Sequence, residues 1–210
     1  MNSEVTGNEV KYALETKIFG FWIFLAMETM FFGSVLFLYT NERFFYPEAF
    51  KFGSHLLNLR LGTLNTAVLL TSSLTMALAQ HFFKNRNRFR MLASLIATAL
   101  LGGVFLFIKS IELQDDYRNS LIPGVRFSLP RTAPSQTALF QSLYLFAISI
   151  HALHLTIGIL WCLGLAYLLL RNSDMNRWQA RMESSGLYWH FVDIVWVFLF
   201  PLFYLNGGPS

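Results

Sequence analysis

Glu28 stands near the centre of an uncharged run from Ile18 to Tyr39. A carboxylate at that depth costs roughly 2.5–3.5 kcal/mol on insertion scales. Such a residue faces a bundle interior or a wet cavity, and its chemistry is proton uptake and release. The structural alternative is a protonated carboxyl bonded to a neighbouring helix. His151 and His154 lie one helical turn apart in the run Leu139–Leu170, with Gly158 and Cys162 continuing their stripe. Imidazole pairs of this spacing suit Zn, Cu or Fe, but a metal site needs one or two more ligands. Only His190 offers itself, and it opens the run Leu187–Leu205 at the other end of the membrane. Hydrogen bonds between helices are therefore the preferred reading of the histidines. Asp193 shares a face with His190, needs a partner, and finds its nearest candidate there. Helix locking is preferred over proton handling for that pair.

Two further constellations are polar residues in apolar surroundings. Lys109 and Glu112 close the run Leu92–Ile111 one turn apart. They are spaced for an ion pair near the outer interface, and the lysine has the reach to snorkel toward head groups. The functional alternative brings Glu112 to the neighbourhood of Glu28 or to a partner subunit. Gly62, Asn65, Ser72 and Met76 fall on one stripe of the run Gly62–Phe83. Small and polar residues on a stripe let helices approach and bond across the contact, so packing is preferred over ligand binding.

The elements that must position these groups follow from composition. The chain is 54% hydrophobic and 13% charged, against about 25% charged in an average domain. The net charge of +4 suits nucleic acid only if the placement of the basic residues is ignored, since they cluster between apolar runs. The single cysteine, Cys162, excludes an intrachain disulfide or a cysteine-based zinc cluster. The first ten residues are polar and carry no cleavable signal pattern. Five runs, about 18–39, 62–83, 92–111, 139–170 and 187–205, are long enough to cross a bilayer. The fourth exceeds bilayer thickness and must tilt or project. Lipid permits only helices or closed barrels, and these runs are too long for barrel strands. The expected fold is all-α, an integral membrane bundle of five transmembrane helices in a single domain over 1–210.

Lysine and arginine set the expected orientation. Lys11, Lys17, Lys84, Arg86, Arg88, Arg90, Arg171, Arg177 and Arg181 fall on one side. Arg43, Lys51, Arg60, Arg118, Arg126 and Arg131 are spread over the longer loops of the other. The first side is cytoplasmic by the positive-inside rule, so the C-terminus is expected outside. Asp115 to Thr137, with Pro123, Pro130 and Pro134, reads as an extended outer loop with no helix beyond a turn. Tyr39, Tyr46, Trp178, Tyr188 and Trp189 near the segment ends are expected as interfacial anchors.

Four stretches together resemble subunit III of the haem–copper terminal oxidases, the cytochrome c oxidase subunit III family. They are Glu28-Thr29-Met30-Phe31-Phe32; Leu64-Asn65-Thr66 with Ser72-Ser73; His151-Ala152-Leu153-His154 with Gly158; and Tyr188-Trp189-His190-Phe191-Val192-Asp193 with Val195-Trp196. The resemblance extends from about Thr16 to Gly207 and is to the five-helix bacterial form. The opening Thr16–Trp22 looks like the quinol-oxidase branch, whereas Glu28 looks like the cytochrome c oxidase branch. Met27 departs from the serine that often precedes the glutamate, and Ala152 from the usual glycine between the histidines.

The resemblance implies a V-shaped bundle with phospholipid in its cleft, docked on subunit I, with subunit II and a fourth subunit as further neighbours. It implies haems and copper in the partner subunits, none bound by this chain, and no nucleic acid. The implied role is support of assembly, proton uptake and turnover stability in a proton-pumping oxidase of the bacterial inner membrane. Glu28 is similar to the family's carbodiimide-reactive carboxyl. Alternatives are a quinol-oxidase subunit or a homologue from nitric oxide reductase gene clusters. From another class come a self-sufficient haem or metal protein using His151, His154 and His190, and a small proton channel around Glu28. The absence of inverted repeats counts against the channel.

Overall fold

The computed structural model describes residues 2–123, 126–127, 133–171 and 178–206, with backbone alone for 2–15, 17 and 126–127. Pro130, Arg131 and Arg177 lie outside the described residues, as do the side chains of Lys11, Lys17 and Arg126. Six helices make the fold: α1 (Asn2–Phe45), α2 (Pro47–Leu56), α3 (Leu59–Lys84), α4 (Arg88–Arg118), α5 (Thr137–Arg171) and α6 (Gln179–Tyr204). All but α2 are long and apolar enough to cross a membrane. The chain is a multi-pass all-α membrane protein.

Every predicted span is present, and each helix begins before its apolar run; all but α6, which ends at Tyr204, also run past its end. Lipid leaves no partner for a free backbone group, so a helix persists until water or a cap can take over. Asparagines supply several of those caps. Asn58 Oδ1 accepts from the backbone N–H of Arg60 at 3.1 Å and of Leu61 at 3.3 Å, opening α3. Asn87 Oδ1 accepts from Arg90 N–H at 3.2 Å, opening α4. Between them the α3–α4 turn passes through Arg86 at φ 54°, a left-handed conformation that reverses the chain within three residues. The basic cluster is thus a tight turn. Arg88 donates to the carbonyl of Leu169, so the start of α4 and the end of α5 meet at the same end of the bundle.

α6 is the central helix and α1 the outlying one. Half of the most apolar window of α6 is buried, against 17% of that of α1. α1 leans on α5 and α6 through aromatic contacts, edge-on for Phe21 with Trp161 and for Phe32 with Phe191 and His154, and stacked for Phe24 with Tyr188. Its other face exposes Phe19, Met27, Met30 and Phe37.

Three expectations are corrected by the fold. α2 has no counterpart in the apolar pattern. It is a short amphipathic element with Pro47 at its first turn, following α1 directly. Phe50 is fully buried, and Ser54 donates to Phe203 O at 2.7 Å. The outer loop between Asp115 and Thr137 is shorter than read, because α4 continues to Arg118. Leu121–Ile122 (β1) then pairs antiparallel with Arg126–Phe127 (β2). Tyr39, Trp178, Tyr188 and Trp189 are not interfacial anchors but buried, at 0–3% exposure; only Tyr46 remains exposed. The two tyrosine hydroxyls found acceptors inside the bundle, Tyr39 donating to Leu202 O and Tyr188 to His154 O.

Candidate functional site

The polar residues gather in two places and leave a third group unpartnered. The first is the contact of α1 with α5. Glu28 Oε2 lies 3.1 Å from His154 Nε2, and His154 Nδ1 lies 2.9 Å from Ile150 O, one turn back on its own helix. Tyr188 of α6 donates to His154 O at 3.0 Å. The Phe32 ring stands edge-on to the imidazole at 5.2 Å. The pair sits at the rim of the bundle, with 22% of the Glu28 side chain exposed and 13% of that of His154. Sequence alone did not join these two residues, which are far apart in the chain.

The second gathering is built around Lys109 in the C-terminal part of α4. Its Nζ is 2.8 Å from Glu112 Oε2 and donates also to the hydroxyls of Tyr144 and Tyr204. Tyr144 donates to Glu112 Oε1 at 3.1 Å, Tyr204 donates to the same oxygen, and the two hydroxyls are 2.9 Å apart. The ammonium also lies 4.9 Å from the Trp196 ring centroid. The predicted ion pair therefore exists, but its setting corrects two expectations. Lys109 does not snorkel, being 6% exposed and turned inward. Glu112 is not at Glu28; it closes a knot of α4, α5 and α6. The reason is that α4 runs a further two turns, so the pair sits inside the helix and not at its end. Tyr144 and Tyr204 were missed. Their only signal was a hydroxyl in an apolar run at the depth of Lys109.

The remaining candidates lie in the core. His190 Nδ1 is 2.8 Å from Ser73 Oγ of α3, so His190 is not the partner of Asp193. Because α6 begins at Gln179, His190 is also well inside the helix and not at its inner end. Asp193 faces the same serine, yet neither oxygen completes a hydrogen bond of good geometry. The predicted α3 stripe of Gly62, Asn65, Ser72 and Met76 is buried throughout. Ser72 donates to Thr98 O at 3.2 Å, and Trp196 Nε1 donates to Thr66 Oγ1 at 3.0 Å. Asn65 and His151 are buried with no hydrogen-bond partner among the described residues. His151 packs against the rings of Phe105 and Trp196, which also touch each other.

The three histidines therefore point to three different places. Among the described residues no three His, Cys, Asp or Glu side chains come together as a metal-binding group. His151 and His154 share a helix but not a ligand direction, and this argues against the haem or metal reading. What the arrangement offers chemically is one carboxyl–imidazole pair within reach of lipid and one neutralised knot deep in the bundle.

Comparison with known proteins fits this geometry. The family model described as cytochrome c oxidase subunit III matches residues 1–208. Cytochrome c oxidase subunit 3 of Bacillus sp. (strain PS3) is 34% identical over 145 residues, 68% of this chain and 63% of that protein. The Bacillus subtilis (strain 168) protein of the same name is 33% identical over the same extent. Cytochrome bo(3) ubiquinol oxidase subunit 3 of Buchnera aphidicola is 28% identical over 197 residues, 91% of this chain and 94% of that protein. The match thus spans less than two thirds of the length of the two Bacillus proteins.

Proposed function

The chain belongs to the cytochrome c oxidase subunit III family, and from that premise we propose that it is the non-catalytic subunit III of a proton-pumping haem–copper terminal oxidase. In this reading it docks in the membrane on subunit I, which carries the haems and copper, with subunit II and a fourth subunit as further neighbours. It supports assembly, proton uptake and the working lifetime of subunit I. The observation that carries the reading is the Glu28–His154 contact. It joins the glutamate of the first matching stretch to the second histidine of the third.

The test is turnover. An oxidase purified without this chain is expected to start at the rate of the intact complex and to lose activity over successive turnovers. In Glu28→Gln, which keeps shape and hydrogen bonding, oxygen reduction should persist, with any loss in pumping or in lifetime. Immediate abolition of oxygen reduction by Glu28→Gln in a fully assembled complex would overturn the proposal.

The electron donor proposed for the complex is cytochrome c, supported by Glu28 and by the two Bacillus relatives. A second reading, quinol, is favoured by the nearly full-length match to the Buchnera protein. Reduced cytochrome c and ubiquinol offered separately to the purified complex decide between them.

Phospholipid is the proposed occupant of a groove of about 740 Å³ between α1 and the inner ends of α3 and α6. Ile18, Trp22, Phe83 and Leu187 supply its apolar wall, and Lys84 a cation at the head-group end. The proposed site of action is the bacterial inner membrane, N-terminus cytoplasmic and C-terminus periplasmic. Its warrant is the Lys84–Arg90 turn together with Arg171 and Arg181 at the same end. Alkaline phosphatase fused after Ser210 is expected to be active, and an inactive fusion of full length would reverse the topology.

A further inference from the structure

We propose that Tyr204 is a redox site that holds one oxidising equivalent as a neutral phenoxyl radical, with Glu112 taking up the phenol's proton. The inference goes beyond the subunit III reading and takes from it only the native complex as the sample. It begins with a base placed for a phenol. The Tyr204 hydroxyl donates to Glu112 Oε1, and Tyr144 donates to the same oxygen at 3.1 Å. Tyr204 makes the shorter of the two bonds, and its oxygen also accepts from the Lys109 ammonium. A phenol has one hydrogen to give, so that hydrogen already points at the carboxylate. Tyr204 is 5% exposed, which shields a radical there from solvent and from other chains.

A second observation leads an oxidising equivalent to that phenol. α6 carries Tyr188, Trp189, Trp196 and Tyr204, all buried. Trp161 of α5 stands 5.7 Å from the Tyr188 ring, and the Trp196 and Tyr204 rings are 6.4 Å apart. Trp189 and Trp196 are separated by two turns, about 10 Å along the helix axis. Phenol and indole are the side chains of the core that give up an electron most readily, and here they form a ladder along one helix. Packing alone would be served as well by phenylalanine. The ladder has one end with a base. Tyr39 and Tyr188 donate to backbone carbonyls, and Trp196 to the Thr66 hydroxyl, none of which takes a proton readily. Lys109 decides between Trp196 and Tyr204. Its ammonium lies 4.9 Å from the Trp196 ring centroid, so an indole radical cation there is repelled at low dielectric. Tyr204 loses electron and proton together and stays neutral, while the ammonium still faces Asp116. The oxidant is an oxygen-centred radical, hydroxyl or peroxyl, which takes one electron and leaves as hydroxide or hydroperoxide anion. The Tyr204 O–H bond breaks and an O–H bond forms on Glu112.

The test oxidises the native complex with a photogenerated ruthenium tris(bipyridyl) oxidant and reads the frozen product by electron paramagnetic resonance. The signal of this chain is the part missing from complex stripped of it. Tyrosine supplied with a deuterated ring narrows a tyrosyl spectrum and leaves a tryptophan one unchanged. The expected result is a tyrosyl signal whose relaxation a water-soluble gadolinium chelate does not alter. Radicals on Tyr46, Tyr117 or Tyr167, which are 39%, 47% and 54% exposed, would be relaxed by it. Tyr204→Phe should abolish the buried signal, and Tyr46→Phe should leave it as it was. Glu112→Gln, which keeps an acceptor for the hydroxyl but removes the base, should lower the yield. It decides the matter if Tyr204→Phe is not retained in the complex. A buried signal that persists in Tyr204→Phe, or an unchanged yield in Glu112→Gln, would overturn the proposal. So would a signal of this chain that is tryptophanyl, or one that the chelate relaxes in full.

Discussion

Lys109→Met is expected to destabilise the folded chain by about 3–5 kcal/mol, the cost of leaving a buried charge without its partner. Glu112 would keep two tyrosine donors but lose the cation it is paired with. Asp116, one turn on and 5% exposed, adds a second acid that the ammonium also faces. Burial makes the loss large, since little water enters to screen what remains. The knot ties α4 to α5 and α6 at once, so the effect should appear as loss of the chain from the purified complex and a lower melting temperature. Lys109→Met with Glu112→Leu removes both charges and leaves the tyrosine hydroxyls bonded to each other. That double variant should be markedly more stable than Lys109→Met alone. Equal stability of the single and double variants would show that the charge balance at this site does not matter.

Trp189→Ala is expected to cost about 3–5 kcal/mol by the measure of large-to-small changes in packed cores. Trp189 is 1% exposed, and its ring fills the space left by two glycines. A Cβ added at Gly102 would come within 2.9 Å of the ring, and one at Gly158 within 3.1 Å. Lipid tails are as apolar as tryptophan, so the loss is one of contact and not of burial from water. Gly102→Val should be harmful for the opposite reason, overpacking by about 1–3 kcal/mol. Combined, the valine enters the space the indole vacates, and the double variant should lose less than the sum of the two. Melting of the chain in detergent, read as a double-mutant cycle, checks this. Strict additivity would mean that Gly102 and Trp189 do not meet.

The number of spans was legible in the sequence because hydrocarbon imposes one local rule, that every backbone group bonds within its own segment. Helix existence follows from an apolar run without reference to neighbours. The α3 stripe was legible for a related reason, since Gly62, Asn65, Ser72 and Met76 recur at the helical period. Helix α2 was not, because Pro47–Leu56 is amphipathic and short, and what holds Phe50 and Ser54 down is Phe140 and Phe203 from two other helices. The anchor reading of Tyr39 and Trp178 failed similarly. Position near a segment end does not say whether a ring turns to the head groups or to the bundle.

At the candidate site, residue type and spacing identified Glu28, Lys109, Glu112 and the histidines as groups that need partners. They did not assign those partners, apart from Lys109 and Glu112, one turn apart on a single helix. Glu28 with His154, and His190 with Ser73, are pairings between helices far apart in the chain. A helix has a face that its own sequence defines, but which neighbour lies against that face is decided by how all the helices pack. The sequence by itself therefore determined that polar groups are buried at given depths of a five-span membrane bundle. Tertiary structure alone decided which of them pair across helices, which neutralise one another, and that His151, His154 and His190 point to different places.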